Sequence, residues 1–325
     1  MFEATQVFRP APVDRVAHHG DVVRPVMRYA FARDTSTPDA AVEVRGDVAA
    51  LATLLGEGGA VVLSGAGLST DSGIPDYRGP SSARRRHTPM TYEAFVGDPV
   101  ARHRYWARSH VGWGQIARAH PNTGHRAVAA LQRAGLLRGV ITQNVDGLHQ
   151  AGGARDVVEL HGALDRVVCL GCTATVPRGE VQDLLHALNP GFDAEAAAAT
   201  RINPDGDAEL DPALLDRFSM AACPVCGDGP LKPDVVFFGE SVPRPRVDRC
   251  FDLVAGARSL VVLGSSLTVM SGLRFVHAAV RADLPVAVVT AGPSRADTKA
   301  TVRLDGPLGE VLPAVLWTLG LHDRT

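Results

Sequence analysis

Four of the five cysteines in this 325-residue sequence come as two pairs, Cys169-Leu-Gly-Cys172 and Cys223-Pro-Val-Cys226, and Cys250 stands alone. Each pair can grip one metal ion from a tight turn, and four thiolates complete a tetrahedral, closed zinc site. A redox pair is the competing reading of a Cys-x-x-Cys. Two such pairs, each at a knuckle containing Gly or Pro, favour the metal. A closed site keeps no open coordination position, so the zinc is expected to be structural, holding together a small insert with little core of its own.

His161 offers different chemistry. It follows the apolar run Val157-Val158-Glu159-Leu160 and precedes Gly162, and an imidazole is suited to proton transfer near neutral pH. A single His at a strand end is more often a satisfied structural residue. Its company changes the balance. Gln143, Asn144 and Asp146 end a second expected strand, Asp76 and Arg78 follow a third, and Ser265 and Ser266 follow a fourth. Ligands of an open parallel sheet bind outside the C-terminal strand ends, so these side chains describe one crevice.

The elements that must position them begin with Val61-Val62-Leu63, a short buried strand after Gly58 and Gly59. Gly65, Ala66 and Gly67 then let the backbone turn sharply and bring N–H groups toward a diphosphate. This is half of a dinucleotide fingerprint. The third glycine of G-x-G-x-x-G would fall at Thr70, and the acidic ribose partner expected about 20 positions on is replaced by Arg84-Arg85-Arg86. A hydride-transfer enzyme is therefore disfavoured, and the loop ending in Asp76, Tyr77 and Arg78 is free to fold over the reactive end of a cofactor.

Helical spacing runs from Val44 to Leu55 and through residues 91 to 119, where Trp106 and Trp113 read as core. Asn122-Thr123 can cap a further helix. Strands are expected at 139–142, 157–160, 235–238, 260–264 and 285–289, with helices near 244–256, 270–282 and 308–319. That alternation predicts an α/β fold, a Rossmann-like parallel sheet covered on both faces, with a small zinc-binding domain inserted and a helical module at about 80–120. The expected domains are an N-terminal extension over 1–42, the main domain over 43–165 and 231–325, and the insert over 166–230. Within the insert, a helix is expected at about 178–188 and a loop over 189–212. Lys232-Pro233-Asp234-Val235-Val236-Phe237-Phe238-Gly239-Glu240 reads either as a core strand or as an edge that pairs with an extended peptide.

A hydrophobic content of 46%, a charged content of 21% and a net charge of −2 describe a globular chain with no electrostatic call on nucleic acid or a membrane surface. No apolar run reaches the roughly 20 residues of a membrane span, and no secretory signal is legible at the N-terminus. Cysteine usage fits a reducing, cytoplasmic setting, and a monomer is expected.

Gly65-Ala66-Gly67-Leu68-Ser69-Thr70 with Ser72-Gly73-Ile74-Pro75-Asp76-Tyr77-Arg78, and then Thr142-Gln143-Asn144-Val145-Asp146-Gly147-Leu148-His149, closely resemble the sirtuins, the NAD-dependent protein deacylases. Glu159-Leu160-His161-Gly162, the paired cysteines, Phe238-Gly239-Glu240 and Gly264-Ser265-Ser266-Leu267 extend the resemblance over roughly residues 45 to 320. Pro75-Asp76-Tyr77-Arg78, Arg104-Tyr105-Trp106-Ala107-Arg108, Lys232 to Gly239 and Gly292-Pro293-Ser294-Arg295 look most like the class II branch, which includes a mitochondrial sirtuin.

The resemblance implies an NAD domain, a zinc insert, and an acyl-lysine peptide bound in the cleft between them. It implies that Gly65, Ala66, Gly67, Thr70, Asp76, Tyr77 and Arg78 line the NAD site, together with Gln143, Asn144, Val145 and Asp146. Gly264, Ser265, Ser266, Thr290, Ala291, Gly292 and Leu308 would serve the adenosine side. Val236, Phe237, Gly239 and Glu240 would meet the peptide, and His161, with Asn144, would be catalytic. Release of nicotinamide and transfer of the acyl group to ADP-ribose are the implied chemistry, with a closed loop over residues 68–86 excluding water. A mono-ADP-ribosyltransferase is the alternative that the class II resemblance brings. An NAD-sensing module without turnover is a second. Two departures stand out: Thr290 occupies the place of an Asn that many members carry, and 50 residues separate Cys172 from Cys223. The Tyr and Arg pair of succinyl-preferring members is absent after Gly79.

Overall fold

The computed structural model describes residues 42–76, 89–196 and 207–322. Tyr77, Arg78, the Arg84–Arg86 run and the expected N-terminal extension up to residue 41 lie outside them. The first helix, α1 (Val48–Gly56), begins where the Asp47 carboxylate accepts from the Ala50 amide. Periodicity placed that start at Val44. Arg45 instead forms an antiparallel bridge to Arg303, which keeps the chain extended up to the cap.

β1 (Ala60–Ser64) is buried along its whole length and ends in two tight 3-10 turns, Ala66–Leu68 and Thr70–Ser72. α2 (Tyr92–Gly97) and α3 (Pro99–Arg118) follow, the latter started by an Asp98 cap and a proline in its first turn. Asn122 and His125 form a reciprocal capping box for α4 (Thr123–Arg133). Then come β2 (Leu137–Thr142), the short α5 (Leu148–Ala151) and β3 (Val157–Glu159). Next come β4 (Gly162–Cys169), β5 (Thr175–Pro177), α6 (Arg178–Leu188), α7 (Phe192–Ala196), α8 (Pro212–Leu215) and β6 (Leu231–Val235). α9 (Arg244–Ala255), β7 (Ser259–Leu263), α10 (Met270–Arg281), β8 (Val286–Val289), β9 (Val302–Leu304) and α11 (Leu308–Thr318) complete the chain.

The six-stranded sheet runs β3-β2-β1-β7-β8-β9, and every pairing in it is parallel. The chain therefore winds outward from β1 in one direction and restarts on the other side of β1 at β7. That reversal leaves a crevice between the C-terminal ends of β1 and β7, the place where such sheets bind ligands. Side chains alternate across the sheet with the period of two that a strand imposes. Val62, Val140 and Val261 pack with Leu51, Leu131 and Leu312 on one face. Val61, Leu63, Ile141 and Val262 pack with Leu253, Phe275 and Val276 on the other.

The segment expected as a strand at 235–238 is not part of this sheet. β6 ends at Val235 and pairs antiparallel with β4 in a separate sheet of order β5-β4-β6. Pro233 lacks an N–H and suits an edge strand, which β6 is. Residues 236–238 continue as an irregular segment, with one bridge from Phe238 to Thr91. β4 starts directly after His161, so the second sheet is built onto the end of the first. Within the expected 189–212 loop, residues 192–196 are helical, because Phe192 is drawn into a cluster with Phe218 and Leu185. Residues 197–206 lie outside the description. β9 escaped the sequence reading because Arg303 interrupts its apolar pattern.

Candidate active site

Two glycine loops cross at the switch point. Gly264 follows β7 with φ +65, and a Cβ there would lie 2.5 Å from the Leu68 nitrogen and 2.7 Å from the Gly67 carbonyl carbon. The amides of Gly65 and Gly67 donate to Leu263 and Gly264 carbonyls, both at 2.9 Å. These two N–H groups are thus committed to holding the strand ends together rather than to a diphosphate. What the glycines contribute is the close approach itself, which sets the floor of the crevice.

A polar network stands on that floor. Asn144 donates through Nδ2 to the Gly65 carbonyl at 3.1 Å and to Ser69 Oγ at 3.0 Å. Both amide protons are thereby engaged and Oδ1 is turned to act as an acceptor. Ser69 Oγ donates to Asp146 Oδ2 at 2.6 Å, and the Leu148 amide donates to Asp146 Oδ1 at 2.9 Å. Burial pushes the Asp146 carboxyl upward, against those two hydrogen bonds. Gln143 donates through Nε2 to Ser265 Oγ at 2.9 Å, tying the end of β2 to the loop after β7. Beneath lies Ser64, which meets Thr142 Oγ1 at 2.9 Å and His149 Nε2 at 2.8 Å.

His161 stands beside this network. Its Nδ1 is 3.0 Å from the Gln143 carbonyl oxygen and its Nε2 2.8 Å from Ser271 Oγ. A carbonyl can only accept, so Nδ1 carries the ring proton and Nε2 presents its lone pair. Burial holds the imidazole down at about 4, helped by Arg274 and Arg246 and opposed by the Gln143 carbonyl. At neutral pH the ring is therefore neutral and able to take a proton.

Of the residues expected on the adenosine side, Gly264, Ser265 and Ser266 follow β7, Thr290, Ala291 and Gly292 follow β8, and Leu308 opens α11 after β9. Arg303, fully buried, donates to the Thr290 carbonyl at 3.2 Å, to the Gly292 carbonyl at 2.6 Å and to Leu304, and pairs with Asp297 at 2.7 Å. A guanidinium thus shapes the 290–292 loop from beneath. Of the residues expected to meet a peptide, Val236 donates from its amide to the His161 carbonyl at 2.8 Å. Phe237 turns inward, 5.0 Å from Phe95 and 5.2 Å from Tyr105 between ring centroids. Glu240 accepts from the Phe237 amide at 2.8 Å and from the buried Lys232 ammonium at 3.0 Å. These side chains brace the segment from within. Ser64, Ser69, Lys232 and Arg303 received no role from sequence reasoning, although Ser69 sits inside the glycine-loop motif that was singled out.

The four cysteines converge between β4 and the turn before β6. Cys169 and Cys226 sulfurs are 3.8 Å apart, and those of Cys172 and Cys223 are 3.9 Å apart. Tetrahedral thiolates at about 2.3 Å from zinc have edges of about 3.8 Å, so the residues fit the ion. Amides of Gly171 and Cys172 point at the Cys169 sulfur, and Val225 and Gly229 at those of Cys223 and Cys226. The Asp228 and Gly229 amides bring the Cys226 thiol down to about 6, and such donors favour the thiolate a metal needs.

His110, His186 and Asp193 also cluster, but not as metal ligands. Gln182 Nε2 donates to His110 Nδ1 at 2.9 Å, while its Oε1 accepts from Arg178. The His110 proton consequently sits on Nε2, facing Asp193, where a metal would need a lone pair.

The model of the Sir2 family matches residues 65–271. A protein of Streptomyces coelicolor described as "NAD-dependent protein deacetylase 1" is 58% identical over 276 residues, covering 85% of this chain and 91% of that protein. The "NAD-dependent protein deacetylase" of Xanthomonas campestris is 52% identical over 252 residues, covering 77% and 84%. Among solved structures, "Structural Basis for the Mechanism and Regulation of Sir2 Enzymes" is 30% identical with a TM-score of 0.66, over 84% of this chain and 98% of that one. "Sir2-p53 peptide-NAD+" is 28% identical with a TM-score of 0.65, over the same shares.

Proposed function

The chain belongs to the Sir2 family, the sirtuins, and from that premise we propose that it is an NAD-dependent protein lysine deacylase that passes the acyl group to ADP-ribose. The observation that carries this reading is the neutral His161, whose Nδ1–H donates to the Gln143 carbonyl and whose Nε2 accepts from Ser271, at the edge of the network that holds Asn144 and Asp146. NAD, as co-substrate, supplies a ribose C1′ that becomes electrophilic when neutral nicotinamide departs, and the acyl-lysine amide oxygen attacks it.

The chain's own residues do the rest. Asn144 Oδ1 accepts from a ribose hydroxyl because both its N–H groups are already engaged. Asp146 and Ser69 hold that amide in place. His161 Nε2 takes the proton of a ribose hydroxyl, whose oxygen then bonds to the acyl carbon; the acyl C–N bond breaks and lysine leaves as the free amine, with one water consumed overall. Gly65, Ala66, Gly67 and Thr70, with Gly264, Ser265 and Ser266, form the crevice wall. Asp76 is assigned to the reactive end, as are Tyr77 and Arg78 from the sequence motif alone, and Thr290, Ala291, Gly292 and Leu308 to the adenosine. Val236, Gly239 and the braced Phe237–Glu240 turn face the peptide. The zinc held by Cys169, Cys172, Cys223 and Cys226 is structural.

We assign the NAD domain to 43–165 and 231–325 and the insert to 166–230, and place the chain in the class II branch on the motifs at 75–78, 104–108, 232–239 and 292–295. Among the described residues no helix is long and apolar enough to cross a membrane. Incubation with NAD and acetyl-, long-chain- and lipoyl-lysine peptides tests the function. Nicotinamide release matched by deacylated peptide is expected. Label moving from NAD onto protein, without deacylation, establishes the mono-ADP-ribosyltransferase instead.

A further inference from the structure

Ser271 belongs to no motif discussed above, yet it touches the base. It lies in the first turn of α10, with its hydroxyl 2.8 Å from His161 Nε2. Because Nδ1 donates to the Gln143 carbonyl, Nε2 is bare and Ser271 must be the donor. The ring is thus held from both sides, and the two holders are fixed against each other. Gly272, the next residue, lets α10 lie directly on Gln143, since a Cβ there would come within 2.6 Å of Gln143 Oε1.

We propose that Ser271 is a positioning residue for the base, holding the imidazole plane so that Nε2 faces the ribose hydroxyls and then accepting the Nε2 proton in a hydrogen bond. The inference rests on the deacylase reading. A hydroxyl has one proton to donate and two lone pairs to accept with, so the same side chain serves both charge states of the ring. The lone pair of Nε2 serves one donor at a time. The arriving ribose hydroxyl displaces Ser271 as donor and its proton passes to Nε2, while its oxygen bonds to the imidate carbon and the C=N π pair moves onto the nitrogen. The charged ring then donates Nε2–H to Ser271 Oγ. Alanine at this position keeps the helix and loses both hydrogen bonds.

The test compares wild type with Ser271→Ala and Ser271→Thr in two assays at saturating NAD and acyl peptide. One is the rate of deacylated-peptide formation. The other is exchange of labelled nicotinamide into NAD, which reports the chemistry before any base acts. Ser271→Ala is expected to lower kcat about five- to tenfold, the worth of one hydrogen bond to the reacting group, with exchange undiminished. Ser271→Thr, which restores a hydroxyl, is expected to recover kcat to within about twofold. Wild-type kcat in Ser271→Ala, exchange falling in parallel with kcat, or no rescue by threonine would each overturn the proposal while leaving the deacylase reading intact. A wild-type chain that shows neither exchange nor deacylation overturns that reading itself.

Discussion

Replacing Gly264 by alanine should damage both stability and NAD binding, and the structure sets the size of each effect. Gly264 has φ +65, a conformation that costs an L-residue about 1–2 kcal/mol. Its new methyl would lie 2.5 Å from the Leu68 nitrogen and 2.7 Å from the Gly67 carbonyl carbon. Both are backbone atoms that cannot rotate away, which adds about 1–3 kcal/mol of overpacking. At about 2–4 °C per kcal/mol, the scale of domains of about 150–250 residues, the thermal midpoint falls by about 4–20 °C. The turn displaced is the one that carries Ser69, the common partner of Asn144 and Asp146. NAD affinity should accordingly drop at least about tenfold, equivalent to about 1.4 kcal/mol. Gly135 supplies the control: it too has positive φ, at +75, but nothing lies within 4 Å of its would-be Cβ. Differential scanning fluorimetry and titration calorimetry on Gly264→Ala and Gly135→Ala make the comparison. Equal midpoints and equal NAD affinities for the two variants would refute the claim that crossing glycine loops set the crevice floor.

Two further outcomes follow from the same geometry. Elemental analysis should find one zinc per chain, lost in Cys223→Ala, with deacylation reduced below about a tenth. β4 carries Cys169 at one end and starts beside His161 at the other, so a metal-free chain of full activity would contradict this. Acid should destabilise the fold before the carboxylates titrate. Burial holds His149 at about 3, and His125 and His161 at about 4. Unfolded imidazoles bind protons near 6.5. The stability from keeping these rings neutral is complete above about pH 6.5. It declines as pH falls from 6.5 toward 4, by about 1.4 kcal/mol per unit for each ring, and levels off below the folded values. Urea midpoints that stay flat from pH 7 to 4.5 would count against it.

Much of this was legible because the informative residues carry their signals locally. The apolar runs of β1, β7 and β8 are continuous, as strands covered on both faces must be, and Asn122 marks a helix start. The cysteine spacing announced a shared site, and the converging polar strand ends announced the crevice. What escaped depends on partners distant in sequence. β6 reads like another strand of the main sheet until its antiparallel pairing with β4 is seen. Arg303 looks like an interruption of a strand, whereas it binds the carbonyls of the 290–292 loop. Ser271 is an ordinary helix residue until α10 is laid against Gln143. The amides of Gly65 and Gly67 seemed available for phosphate, but they are used up by β7, which no local pattern reveals.

The central claim is that His161 takes the ribose proton in a transfer that ends with the acyl group on ADP-ribose. Mass spectrometry of reactions containing NAD and an acyl-lysine peptide tests it most directly, run with wild type and His161→Ala side by side. The account predicts nicotinamide, deacylated peptide and O-acyl-ADP-ribose in equal amounts from wild type. From His161→Ala it predicts at least about a hundredfold loss of the ester, with nicotinamide exchange into NAD preserved. Acyl groups released as free acid without an ADP-ribose ester at any time point, or undiminished turnover in His161→Ala, would contradict it.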